Sequence, residues 1–214
     1  MGLPENLYRA PGRNNWRSAL IPNIESMREL KRMGIKRIVN LALDSTRKQK
    51  CPGGKYPSRP CEPMWARELG LEYIPAYVGS GRRLPRYWPK IKAAMMKGDT
   101  LIHCTYGADR TGAVIGRFRL ETQPGLDPNA VHQEALKRGF KPRSHPGYGK
   151  GPDPNRRLRE WMLAGRYQGV PVRTSSKKGS SFPDLPGGWK PWAIGGAAVL
   201  GLVLLLVVTR RRAA

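Results

Sequence analysis

Residues 101–112 read Leu-Ile-His-Cys-Thr-Tyr-Gly-Ala-Asp-Arg-Thr-Gly, and no other stretch of the 214-residue chain constrains its fold as strongly. A short apolar run ends in Cys104, Arg110 stands six residues on, and Thr111 and Gly112 follow it. From Ala113 through Val114, Ile115 and Phe118 the apolar residues take up a helical pattern. The order is strand, tight loop, helix, the unit from which α/β domains are assembled.

Such a loop aims several backbone N–H groups and the positive end of the helix dipole at one spot, which binds an anion. Arg110, at the start of the helix, adds a planar fork that matches two oxygens of a phosphate, which a lysine cannot do. Cys104 faces the same positive field from the other end of the loop, where a thiol is favoured as its nucleophilic thiolate. Thr111 can donate its hydroxyl to that sulfur, and Gly107 and Gly112 allow the close backbone approach the loop needs. Residues His103, Thr105, Tyr106, Gly107, Ala108 and Gly112 are therefore expected to frame a bound phosphate, with Cys104, Arg110 and Thr111 as the candidate catalytic set.

The string resembles the His-Cys-x5-Arg-Thr/Ser-Gly signature of the cysteine-dependent phosphatases, the protein-tyrosine and dual-specificity superfamily, and every fixed position is present. The likeness extends beyond the loop. Leu7-Tyr8-Arg9, a helix over Ile24, Met27, Leu30 and Met33, Gly34-Ile35-Lys36, and Ile38-Val39-Asn40-Leu41 look like the opening of small bacterial, fungal and plant dual-specificity-type phosphatases. The resemblance implies an α/β fold with a mostly parallel central sheet flanked by helices. It also implies hydrolysis of phosphate monoesters through a phosphocysteine intermediate, with no metal and no cofactor.

Periodicity adds further elements: a strand over residues 35–43, a helix over 64–69, a strand over 71–77, and a helix over 86–97. After the signature one helix runs to about residue 122, Asp127 caps a second over 128–138, and a last one spans 155–164. The loop over residues 44–63 is rich in Lys, Arg, Pro and Gly and leaves the end of a strand where open α/β sheets place their ligands. Cys51 and Cys61 lie in it without a second metal-like pair, so no zinc site is expected. His132 reads as an ordinary helix residue rather than a ligand.

One part of the family pattern is missing. In most relatives a general-acid Asp sits on the loop after the strand matching residues 71–77, and here that loop, Val78-Gly79-Ser80-Gly81-Arg82-Arg83, has no Asp or Glu. Asp109 within the signature and Asp44 after the first strand are the carboxylates left near the expected site, and Asp109 can equally act by orienting the loop. A phosphoric anhydride needs less protonation. The signature with the Gly-Ser-Gly loop is also similar to the RNA 5′-triphosphatase domains of animal-type capping enzymes. The readings thus run from a protein-tyrosine or dual-specificity phosphatase, through a triphosphatase or a lipid or inositol phosphate phosphatase, to a phosphate-binding module without turnover. The intact Cys104, Arg110 and Thr111 speak against the last, since binding alone has no use for the thiol.

The chain carries 39 Lys and Arg against 15 Asp and Glu, a net charge of +24, which draws phosphorylated substrates, anionic membrane surfaces and, as the lesser-favoured partner, nucleic acid. Its three Cys make no disulfide framework, and a reducing compartment suits the free thiol. The organisation expected is a phosphatase domain over residues 1–165, a flexible basic linker over 166–191, a transmembrane helix over 192–209 and a basic tail over 210–214. The run from 192 to 209 is uncharged and almost wholly apolar, and spanning takes roughly 17–25 such residues. With no secretory pattern over residues 1–15, the domain is expected on the cytoplasmic side of a single-pass C-terminal anchor. The full chain should therefore sediment with membranes and a version cut after Arg166 should not. Protease added to intact cells should leave the domain uncut, and digestion from outside would refute that topology.

Overall fold

The computed structural model describes residues 2–42, 61–141 and 153–169. The chain divides into two units, residues 1–183 and 184–214, and every described residue falls in the first.

Five strands form one sheet: β1 (Tyr8–Ala10), β2 (Asn15–Ser18), β3 (Arg37–Asn40), β4 (Glu72–Pro75) and β5 (Thr100–His103), in the order β1-β2-β5-β3-β4. The pairs β2–β5, β5–β3 and β3–β4 are parallel, and β1–β2 is antiparallel, so the sheet is mixed with a parallel centre. The signature strand β5 is the middle strand. In register, Leu101 lies between Trp16 and Ile38, and His103 between Ser18 and Asn40.

Among the described residues six helices cover the sheet: α1 (Ile24–Arg32), α2 (Cys61–Glu68), α3 (Leu84–Lys97), α4 (Asp109–Thr122), α5 (Pro128–Lys137) and α6 (Arg156–Leu163). Successive strand residues point to opposite faces, and this sorts the core into two layers. Trp16, Ile38 and Leu101 pack with Met27 and Leu30 of α1 and Ala66 of α2. Val39, Ile102 and Cys104 pack with Ile91 and Met95 of α3, Val114 and Phe118 of α4, and Met162 of α6. Each large side chain so buried contributes about 1.5–3 kcal/mol.

The helices begin where local chemistry starts them. The Asn23 side chain accepts from Ser26 N at the head of α1, and Asp127 accepts from Asn129 N and Ala130 N ahead of Pro128. Glu121, near the end of α4, accepts from Trp88 Nε1 and from Lys92 Nζ (2.8 Å), both on α3, which fastens the two helices together.

Several expectations change. The strands are shorter than the apolar runs: β3 spans four residues because Ile35 N bonds back to Leu30 O and belongs to the end of α1. Helix α2 starts at Cys61, three residues before the run expected to form it, and so takes in Glu62. Strands β1 and β2 were not expected at all. Cys61 is disulfide-bonded, and Cys104 is a free thiol. Among the described residues no helix is long and apolar enough to cross a membrane. The expected span over 192–209, the linker from 170 onward, Asp44 and Cys51 lie outside the described residues.

Strand β2, Asn-Trp-Arg-Ser, is buried along its whole length. Asn15 is 0% exposed, donates to Pro11 O and Met95 O (both 2.8 Å) and accepts from Thr100 N (3.2 Å), joining β2, the end of α3 and the start of β5. Replacement by alanine leaves Met95 O and Thr100 N short of a partner. Asn15→Ala should cost about 3 kcal/mol, read as a lower urea midpoint with an unchanged slope.

Candidate active site

The loop between β5 and α4 is built on β2. Gly107 has φ +66°, and a Cβ there would lie 2.5–2.6 Å from the backbone of Ser18 and Ala19, so only glycine lets the loop rest on that strand. Leu20 N donates to Thr105 O (3.2 Å), Asn6 Nδ2 donates to Tyr106 O (2.7 Å), and Arg17 Nη2 donates to Gly107 O. Three carbonyls of the loop are thus turned back onto the N-terminal segment. The amides of Tyr106, Gly107 and Ala108 make no hydrogen bond among the described residues, which leaves N–H donors for an anion at the head of α4.

Cys104 closes the last turn of β5 into this loop, a free thiol 3% exposed on the face that carries Ile102. Arg110, half-buried in the first turn of α4, donates Nη2 to Thr105 Oγ1 (2.8 Å) and reaches Leu41 O at 3.5 Å. Its guanidinium therefore folds over the loop towards the end of β3. Thr111 Oγ1 is buried with no hydrogen-bond partner among the described residues, and the expected bond from this hydroxyl to the sulfur is not formed. Tyr106 is 69% exposed on the rim, and Ala108 and Gly112 are buried, with Gly112 N donating to Ala108 O (2.7 Å).

His103 and Asp109 are each held by residues outside the loop. His103 is 0% exposed, and its Nε2 lies 3.1 Å from Glu62 Oε2 on the sheet face away from Cys104, so it supports the loop from behind and does not frame a phosphate. Asp109 Oδ1 accepts from Lys141 N (2.8 Å) and Asn155 Nδ2 (2.7 Å), which ties the loop to the segment leading into α6. Its Oδ2 has no hydrogen bond among the described residues. The loop after β4 brings no carboxylate, as the sequence reading holds. His132 packs edge-on to Phe140 with ring centroids 5.9 Å apart, and burial and Arg159 lower its pKa. Among the described residues no group of three His, Cys, Asp or Glu side chains could hold a metal ion.

Arg17 is the site residue that sequence reasoning missed. It is 5% exposed, burial pushes its pKa down to about 10, and the charge of Cys104 acts in the opposite sense. At neutral pH it remains a cation beneath the loop, clamping Gly107 O. Arg17→Met should raise the concentration of inorganic phosphate that protects Cys104 from alkylation by about tenfold, the size of one charge-assisted bond. Unchanged protection in the folded variant would leave Arg17 no part in holding the loop.

No family model matches the chain. It is 31% identical over 139 residues to the dual specificity protein phosphatase TpbA of Pseudomonas aeruginosa (strain UCBPP-PA14), a match covering 63% of this chain and 55% of that protein. The chain thus spans about half the length of the curated relative it matches. The crystal structure of P. aeruginosa TpbA superposes with a TM-score of 0.51 at 24% identity, covering 73% of this chain and 84% of the other. The core catalytic domain of the S. cerevisiae PP-IP phosphatase SIW14, in complex with citrate, gives 0.53 at 18% identity over 77% and 88%. At these identities the structures establish the fold. A mixed α/β sheet with this loop at its centre, every position of the His-Cys-x5-Arg-Thr-Gly signature in place, and the sequence likeness to TpbA make the chain similar to the cysteine-dependent phosphatases.

Proposed function

We propose that the chain is a dual-specificity-type phosphatase that hydrolyses phosphate monoesters through a phosphocysteine. The observation that carries this reading is the free thiol of Cys104 at the foot of a loop whose Tyr106, Gly107 and Ala108 amides have no hydrogen bond among the described residues, with Arg110 folded over that loop at a helix N-terminus. Cys104 Sγ attacks phosphorus and the bond to the ester oxygen breaks, the oxygen taking a proton as it leaves. Water then attacks the phosphocysteine, the S–P bond breaks, and inorganic phosphate departs with the thiolate restored. Loop amides and the Arg110 fork hold the three equatorial oxygens through both steps.

Asp109 Oδ2 is the proton donor in this reading. The hydrogen bonds on Oδ1 fix the carboxyl's direction, and the loop after β4 offers no rival. The same observation favours a second substrate class. With the usual acid loop bare, a phosphoric anhydride, whose leaving group needs little protonation, suits the site as well as an aryl ester does, and the named activity of SIW14 on PP-IP is of that kind.

The apolar run over 192–209 is proposed as a membrane anchor, with the basic domain held near anionic lipid. The disulfide at Cys61 is of a kind that persists in oxidising compartments, and accessibility to external protease decides on which side the domain lies.

Cys104→Ser and Arg110→Lys should each abolish hydrolysis of p-nitrophenyl phosphate, the first while still binding phosphate. Turnover surviving either change would refute the mechanism. Asp109→Asn should slow esters with poor leaving groups by about 10²–10⁴-fold and good ones far less. Equal losses on both would give Asp109 a purely structural role.

A further inference from the structure

We propose that the outward face of α3 is a docking surface for an anionic lipid bilayer. Between Glu72 and Asp99 the chain has no acid, yet it places Arg82, Arg83, Arg86, Lys90, Lys92 and Lys97 there. Helical spacing puts Arg83, Arg86, Lys90 and Lys97 on one side of α3, and Arg82 stands beside them in the preceding turn. All five are exposed, whereas Lys92 on the opposite side is half-buried and taken up by Glu121. The other exposed positions of the helix are Pro85, Pro89 and Ala93, so no long apolar side chain and no aromatic ring stands out of this face.

The stripe differs from the other helix surfaces in lacking counter-charge. Arg28 and Arg32 of α1 pair with Glu25, Glu68 and Glu29, Arg119 of α4 with Glu134 of α5, and Arg156 of α6 with Glu160. None of the five cations on α3 and its preceding turn has an ion pair or a side-chain hydrogen bond among the described residues. The acids at either end are already taken, Glu72 by Arg37 and Asp99 by Arg13 and Lys36. Like charges in a row repel one another, and an anionic surface laid against them relieves that repulsion.

Position ties the stripe to the site. Leu41 O accepts from Val78 N (3.4 Å) and lies 3.5 Å from Arg110 Nη1, so the loop carrying Arg82 and Arg83 starts beside the guanidinium that folds over the Cys104 loop. Gly81, at φ +98°, is pressed onto α6, where a Cβ would come within 2.9 Å of the Leu158 side chain, and this fixes the turn ahead of Arg82. Docking along α3 therefore brings the mouth of the site to the lipid headgroups. Two observations choose a bilayer over a nucleic acid. The face offers no exposed ring on which a base could stack, and the same chain holds the apolar run over 192–209.

The inference deepens the membrane reading given above and rests on it, but lysine reactivity separates the two. The purified full chain is mixed with vesicles of phosphatidylcholine, alone or with phosphatidylserine, and its lysines are acetylated and assigned by peptide mass. Lys90 and Lys97 should react about tenfold more slowly on the anionic vesicles than on the neutral ones, and the protection should vanish at about 1 M salt. Lys31 and Lys36, exposed on the α1 side of the sheet, should react alike on both. Arg83→Gln combined with Arg86→Gln keeps both reporter lysines and should weaken docking about thirtyfold, which returns Lys90 to nearly its rate on neutral vesicles. Equal rates at Lys90 and Lys97 on the two vesicles would overturn the docking face, whether or not the chain sediments with them. Equal slowing of Lys31 and Lys36 would overturn it as well, since charge would then act without a face. Protection by an RNA oligonucleotide and none by phosphatidylserine would give the stripe to a nucleic acid instead. A chain that leaves phosphatidylcholine vesicles in solution yet is protected on phosphatidylserine would keep the docking face and refute the anchor.

Discussion

The loop between β5 and α4 keeps its shape because it is pressed onto β2. Gly107 sits so close to the backbone of Ser18 and Ala19 that no side chain fits between them, and Arg17 of the same strand holds the Gly107 carbonyl. The carbonyls on that side are occupied by the N-terminal segment, and the amides are left pointing at the head of α4. Everything the site can do follows from this division of donors from acceptors. Strand β2 is held in turn by Asn15, which bonds to the ends of α3 and β5. Cys104, loop and sheet are in this sense a single packing problem.

That dependence explains which parts of the molecule were legible in its residues. The strand-loop-helix around Cys104 and Arg110 was legible because its information is local: an apolar run, glycines at fixed places, then helical spacing. Helix α5, with Asp127 and Pro128 at its head, and α1, with Asn23, were legible for the same reason. Strand β2 was not. Asn15, Arg17 and Ser18 look like a surface turn, and they are buried because partners about 80 to 90 residues away in the chain accept or donate their hydrogen bonds. Glu62 escaped notice likewise, since an acid among the Lys, Arg and Pro of its neighbourhood reads as solvated until α2 sets it against β3, β4 and β5. The role of His103 was misread because the alternation of β5 places it opposite the residue it precedes.

The two faces of the central sheet divide the work of the site. On the side of α4 lie Cys104, Arg17 and the loop, with the cations that an anion meets. On the side of α2 lies a buried polar cluster that no anion can reach. Asp109 belongs to neither layer. It joins the loop to Lys141 and to Asn155 at the entry to α6, so helix α6 is fastened to the loop itself.

The ends of the sheet carry a consequence of their own. Its outermost strands are β1, three residues long and followed by Pro11, and β4, which ends in Pro75 and exposes Glu72. Short margins broken by proline and charge give a foreign strand little backbone to pair with. Growth of the sheet by addition of another molecule's β-structure is thereby discouraged.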